Sequence, residues 1–193
     1  MSEFVGLLLT FLVILNPPAA LLTWRSLSAD LAGGERWTML AGGIALGTIG
    51  LIVAALLGDD IIDALDISLS SFQVGTALLL ILGVLRVFVT RNPWAAPEYS
   101  GRFRPGIAAL RLALWIATPA SLAAAAFYAA DRGESEAVAP LLLALMITAA
   151  AIVGGYWLKG DTPSLVLREA GRLIAIVLVV LAVDLLFDGI TRV

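Results

Sequence analysis

The chain has 193 residues, 61% of them hydrophobic and only 14% charged, where soluble domains carry about a quarter; with a mean hydropathy of +1.01 this is the composition of an integral membrane protein. It contains neither cysteine nor histidine, which removes disulfides, thiolate nucleophiles, imidazole bases and the commonest zinc and haem ligands, and with them a Ser/His intramembrane protease. A net charge of −3 argues against nucleic acid as a partner, because phosphate binding needs clustered Lys and Arg.

A helix crosses the hydrocarbon core in about 20 apolar residues. Six such runs follow one another at roughly 4–23, 37–57, 72–90, 107–130, 137–158 and 168–190. The first does not read as a cleaved signal peptide, since Met1, Ser2 and Glu3 supply no basic segment beyond the amino terminus. It is interrupted at Asn16-Pro17-Pro18. The second carries Gly42, Gly43, Gly47 and Gly50 at spacings that let helices touch closely, as do Gly154 and Gly155 in the fifth. Between the second and third spans, Asp59, Asp60, Asp63 and Asp66 alternate with Ile61, Ile62 and Leu65, which suits a short outward helix at the interface. A dedicated calcium loop would need an Asp-x-Asp-x-Asp-Gly order that is missing. The fourth span breaks at Thr118-Pro119, with Ser121 just after it. Gln73, Thr76 and Thr148 are further polar residues inside spans, and helix-to-helix hydrogen bonding is their commonest use.

Basic residues collect at the cytoplasmic ends of membrane helices. Arg25 and Arg36 fall at the first connection; Arg86, Arg91, Arg102, Arg104 and Arg111 at or near the third; Lys159, Arg168 and Arg172 at the fifth; only Arg132 and Arg192 lie on the other side. This places both termini outside and the central loop in the cytoplasm of a multi-pass plasma (inner) membrane protein. Topology is the plain reading of each of these charges. Arg86 and Arg111 reach deeper, but long side chains near helix ends snorkel to the interface. Trp24, Trp37, Trp94 and Trp157 near the same ends form an ordinary aromatic belt.

An odd number of spans on each side of the central loop makes any similarity between the halves an inverted one. The expected organisation is therefore a first three-helix repeat over 1–90, a cytoplasmic linker over 91–106 and a second three-helix repeat over 107–193, with spans 1 and 4 broken at matching depth. Proline lacks an amide hydrogen and clashes with the carbonyl four residues back, so the carbonyls of Val13, Ile14 and Trp115 lose their helical donors. Such groups are tolerated in a membrane only where protein, water or substrate satisfies them. Paired breaks in inverted halves point to a midplane site, with half-helix N-termini offering free amides to an anionic group; a pair of purely structural kinks is the alternative.

These residues resemble the MarC family of integral membrane proteins, which includes proteins described as small neutral amino acid transporters. The likeness is carried by VILNPPAALLTW around Asn16 and Pro17, by Ile67, Ser68, Leu69, Phe72 and Gly75, by Pro119, and by Arg172, Ala182, Val183, Asp188, Gly189 and Ile190. The chain departs from the family pattern at Ala19, Leu22, Gln73, Thr118, Ala120 and Asp184. The resemblance implies a six-helix all-α membrane fold and a small neutral amino acid as substrate, with a proton or sodium ion for coupling.

The expected function is secondary transport of a small solute by alternating access. Asn16 and Thr118 serve as hydrogen-bonding side chains, Pro17, Pro18 and Pro119 free backbone groups, and Ser121 lies nearby. On this reading Asn16→Ala or Thr118→Ala weakens transport and leaves the fold intact. Asp184, on one helical face with Asp188, is the candidate for the coupling ion or proton if it is buried, and an interfacial carboxylate in water if it is not. No cofactor, metal or catalytic residue is expected. The lipid bilayer is a partner by composition, and a homo-oligomer stays open. The rival reading is a non-transporting structural protein whose kinks only shape a bundle that organises partners.

Overall fold

In lipid every backbone polar group needs an internal partner, which restricts spanning structure to helices and closed barrels. The computed structural model describes residues 3–90, 104–155 and 161–192, the last from 165 onward with side chains, and helix is the only regular structure among them. The elements are α1 (Glu3–Leu15), α2 (Pro17–Ser28), α3 (Gly33–Leu56), α4 (Gly58–Ala64), α5 (Leu69–Val89), α6 (Pro105–Ile116), α7 (Pro119–Arg132), α8 (Glu134–Gly155) and α9 (Asp161–Thr191). Five stretches are long and apolar enough to cross a membrane: α1 with α2, α3, α5, α8 and α9. The pair α6 and α7, bent by 49° at its break, makes a sixth if it is one span. The acidic connection forms the short helix α4. Most of the expected linker lies outside the described residues, as do Arg91, Trp94, Arg102, Trp157 and Lys159.

The first and fourth spans run in opposite directions. At one face the Arg132 Nη1 lies 3.3 Å from Glu3 Oε1, and Arg192 Nη1 lies 3.3 Å from Asp131 Oδ1. The start of α1 and the ends of α7 and α9 therefore meet. At the other face Arg25 Nη2 donates to the Gly155 carbonyl at 2.7 Å, joining the ends of α2 and α8. Exposed ion pairs of this kind contribute little stability; they locate the ends.

Small residues decide which helices come closest. A Cβ on Gly43 would meet the Leu112 side chain at 2.8 Å, and one on Gly47 would meet Ile116 at 2.9 Å, so α3 lies directly on α6. The glycine spacing in the second span thus does mark a packing surface. Helix α7 is the centre of the bundle: Ala124, Ala125, Ala126 and Ala129 are all buried, and α3, α5, α8 and α4 pack around them. The remaining surface is aliphatic. Ile49 on α3, Leu82 on α5 and Val180 on α9 are more than half exposed, which suits a lipid-facing perimeter.

A cavity between two helix breaks

The first break separates helices of 13 and 12 residues, so at about 1.5 Å per residue it lies about 18–20 Å from either end of the span. Asn16 takes a left-handed backbone conformation there, with φ 45° and ψ 72°, and Asn tolerates that region better than most residues because its short amide can bond locally. Its Oδ1 accepts from the Ala19 amide at 3.3 Å, and its Nδ2 donates to the Gly171 carbonyl of α9 at 3.0 Å. Pro17 and Pro18 fill the first helical positions, where a missing N–H costs least. The Ala20 amide bonds the Asn16 carbonyl at 3.0 Å.

This differs from the expectation of free amides. Two of the first four positions of α2 have no N–H, and the other two already have acceptors. What the break leaves open is carbonyls, since Pro17 and Pro18 cannot donate to Val13 and Ile14.

The second break separates helices of 12 and 14 residues, again at mid-span. Thr118 caps α7 by accepting the Ser121 amide on Oγ1 at 3.1 Å. The Ser121 hydroxyl donates to the Ile116 carbonyl at 2.8 Å and lies 3.0 Å from Thr118 Oγ1. The Leu122 amide bonds the Thr118 carbonyl at 2.9 Å. A short polar network thus supplies the Ile116 carbonyl with a donor beside Pro119, and the helix bends at the break.

Between the breaks lies a cavity of about 600 Å³. Asn16, Thr118, Pro119 and Ser121 line it; Pro17 and Pro18 are not among its lining residues. Asp184 is not among the lining residues and is exposed near the face that carries Arg192. Gln73, Thr76 and Thr148 are buried among helices, away from the cavity wall.

The cavity also gathers Arg86 and Arg111, which the charge pattern assigned to topology, and Thr23 and Trp115, whose side chains the sequence did not single out. Both arginines were absorbed into the topology argument. Each lies inside an apolar run, Arg86 four residues before the end of the third and Arg111 four after the start of the fourth, a depth that the sequence reading put down to snorkelling. Thr23 is 8% exposed, and its Oγ1 is buried with no hydrogen-bond partner. Arg86 and Arg111 are the charged residues among the described residues that line it.

Aliphatic helices long enough to span a bilayer, wrapped around an alanine-rich central helix and flanking a largely apolar cavity beside the two breaks, define a multi-pass helical membrane protein. Comparison with family models settles which kind: the chain belongs to the MarC family of integral membrane proteins, whose model matches residues 1–193, the whole chain. Comparison with curated proteins and with solved structures gives no match.

Proposed function

We propose that the protein is a secondary transporter of small solutes, working by alternating access around the cavity between the two breaks, and not an enzyme. The observation that carries this reading is the position of the cavity: it joins two mid-span helix breaks from spans of opposite direction, the arrangement on which transporters of inverted-repeat design bind their substrates. Its volume of about 600 Å³ falls within the 300–1,000 Å³ common to small-ligand sites.

The packing pattern supports two inverted halves. Helix α3 of the first half lies on α6 of the second, as α8 of the second lies on α1 of the first; α5 touches α7 as α9 touches α2; and α5 and α9 pack on each other. Each of these contacts has its counterpart under exchange of the halves, whereas that of α4 on α7 has none. The charge distribution supports both termini outside and the central loop in the cytoplasm of the plasma membrane. Family resemblance supports a small neutral amino acid as the solute, with a proton or sodium ion coupled to it. Asp184, exposed and off the cavity wall, answers to the interfacial reading and not to the coupling one.

One observation favours the structural rival: the side chains of Asn16, Thr118 and Ser121 are already bonded to backbone at their own breaks. Counterflow decides between the two. Vesicles containing purified protein are preloaded with unlabelled glycine, alanine or serine, and labelled alanine is added outside. Accumulation is expected, and Gly83→Phe is expected to abolish it by filling the cavity, since a side chain at Gly83 first meets Ala120 on the cavity wall. Folded, inserted protein that accumulates none of a panel of small solutes would replace transport with the structural reading.

A further inference from the structure

We infer that the solute path continues outward from the cavity between α5 and α7, lined there by Gln73 and Thr76, and that Phe127 closes it in this structure. The inference rests on the transport reading and adds which side chains the solute passes beyond the breaks. The cavity is one-sided. It reaches Leu27 and Val87 near the arginine-bearing ends of α2 and α5, whereas in the other direction its described wall stops about one turn beyond the breaks, at Ile14 and Ser121.

Residues seven apart on a helix lie on one face, about 10 Å apart along the axis. Gln73 stands seven before Leu80 and Thr76 seven before Gly83, and both Leu80 and Gly83 line the cavity. The cavity face of α5 therefore carries on outward through two polar residues. Helix α7 covers that face, since a side chain at Gly83 first meets Ala120; α9 covers another, where a Cβ on Gly189 would meet Val74 and the Ser70 carbonyl. The Gly189 contact also sets the start of α5 beside the end of α9, which is where α7 ends, so α5 and α7 are antiparallel. Seven residues outward from Ala120 on α7 stands Phe127, fully buried, which this register sets level with Thr76.

Gln73 and Thr76 are 2% and 1% exposed, yet Gln73 Oε1 and Thr76 Oγ1 have no hydrogen-bond partner. Thr148, equally buried, donates to the Ala144 carbonyl at 2.8 Å, which is how a structural hydroxyl in a helix is satisfied. An unpaired buried polar group costs free energy. Here the cost falls on the closed arrangement alone: a seam that opens gives both oxygens water or solute to bond, and that difference favours opening. An aromatic side chain holding the seam shut against two unpaired oxygens suits a gate that opens in every transport cycle.

The chain has no cysteine, so Gln73→Cys, Thr76→Cys and a control, Ala77→Cys, report access one at a time. Ala77 is fully buried and lies seven residues from Ser70, on the face toward α9. A charged methanethiosulfonate is added to sealed membranes on the side from which Thr191→Cys reacts, with alanine present. Reaction is expected at Gln73→Cys and Thr76→Cys and not at Ala77→Cys, with loss of counterflow after modification. Phe127→Leu is expected to speed the reaction at Thr76→Cys several-fold. Thr76→Val, which keeps the shape and removes the hydroxyl, is expected to raise the melting temperature while slowing counterflow by about 2- to 10-fold, the worth of one neutral hydrogen bond. A structural hydroxyl would give the reverse, lower stability with unchanged counterflow.

Equal reaction at Ala77→Cys, or modification of Thr76→Cys without loss of counterflow, would overturn the path. An unchanged rate in Phe127→Leu would overturn Phe127 as its closure. If neither cysteine variant folds, Thr76→Val decides, and a lower melting temperature with normal counterflow overturns the inference. Counterflow by the unmodified protein separates the path from the transport reading. Reaction at Thr76→Cys in a protein without counterflow removes transport and leaves a seam that opens; counterflow with both cysteines unreactive does the opposite.

Discussion

Replacing Asn16 by alanine should destabilise the protein measurably, and the same site occupied by glycine should recover about half of the loss. Three interactions end in Asn16→Ala. The cap on α2, in which Oδ1 accepts the Ala19 amide at 3.3 Å, is worth about 1 kcal/mol. The bond from Nδ2 to Gly171 at 3.0 Å adds about 1 kcal/mol. An alanine held at φ 45° costs about 1 kcal/mol more, because its Cβ crowds the following carbonyl in the left-handed region. The sum is about 3 kcal/mol. For a chain of 193 residues, at about 2–4 °C per kcal/mol, the melting temperature falls by about 6–12 °C. Glycine adopts the left-handed conformation freely and caps helices almost as well as Asn. Asn16→Gly therefore loses little beyond the Gly171 bond, about 1–1.5 kcal/mol, or about 3–6 °C.

The assay is thermal unfolding of purified protein in detergent, followed by the fraction that stays monodisperse. An Asn16→Ala protein that melts with wild type, or an Asn16→Gly protein that melts below Asn16→Ala, would refute the reasoning. This replaces the expectation from sequence that Asn16→Ala leaves the fold intact. A transport defect in that variant is to be compared at a temperature where the variant is fully folded.

A Cβ at Gly58 would come within 2.5 Å of the Ala126 carbonyl oxygen, and backbone cannot swing aside, so Gly58→Ala should cost about 1–3 kcal/mol by thermal unfolding. At Gly75 nothing lies within 4 Å, and Gly75→Ala should be stabilising by about 0.5–1 kcal/mol through helix propensity; the opposite order of the two variants would contradict the packing of α4 on α7. Because the chain has no cysteine, single cysteines introduced at Asp60 and Thr191 should react with a membrane-impermeant maleimide added to intact cells, and those at Arg36 and Arg104 only after permeabilisation. The reverse pattern would invert the proposed orientation.

The residues by themselves determined the membrane class, the approximate span limits and the two mid-span interruptions. The reason is that hydrocarbon imposes a length of apolar chain and that proline removes a hydrogen bond whatever its neighbours are. The glycine pattern of the second span was legible for the same local reason, and the family likeness extended over the whole chain. What each polar side chain does was decided only in three dimensions. Asn16 could be read as a ligand group from its place beside two prolines, yet Gly171, 155 residues away in sequence, occupies its amide. Arg86 and Arg111 follow a charge rule that places them at a membrane edge, and only the packing of α5, α6 and the first break puts them on one cavity. A one-dimensional pattern records which groups a helix carries and how deep they lie; which of them share a space depends on helix contacts between distant residues, and those are fixed by tertiary packing.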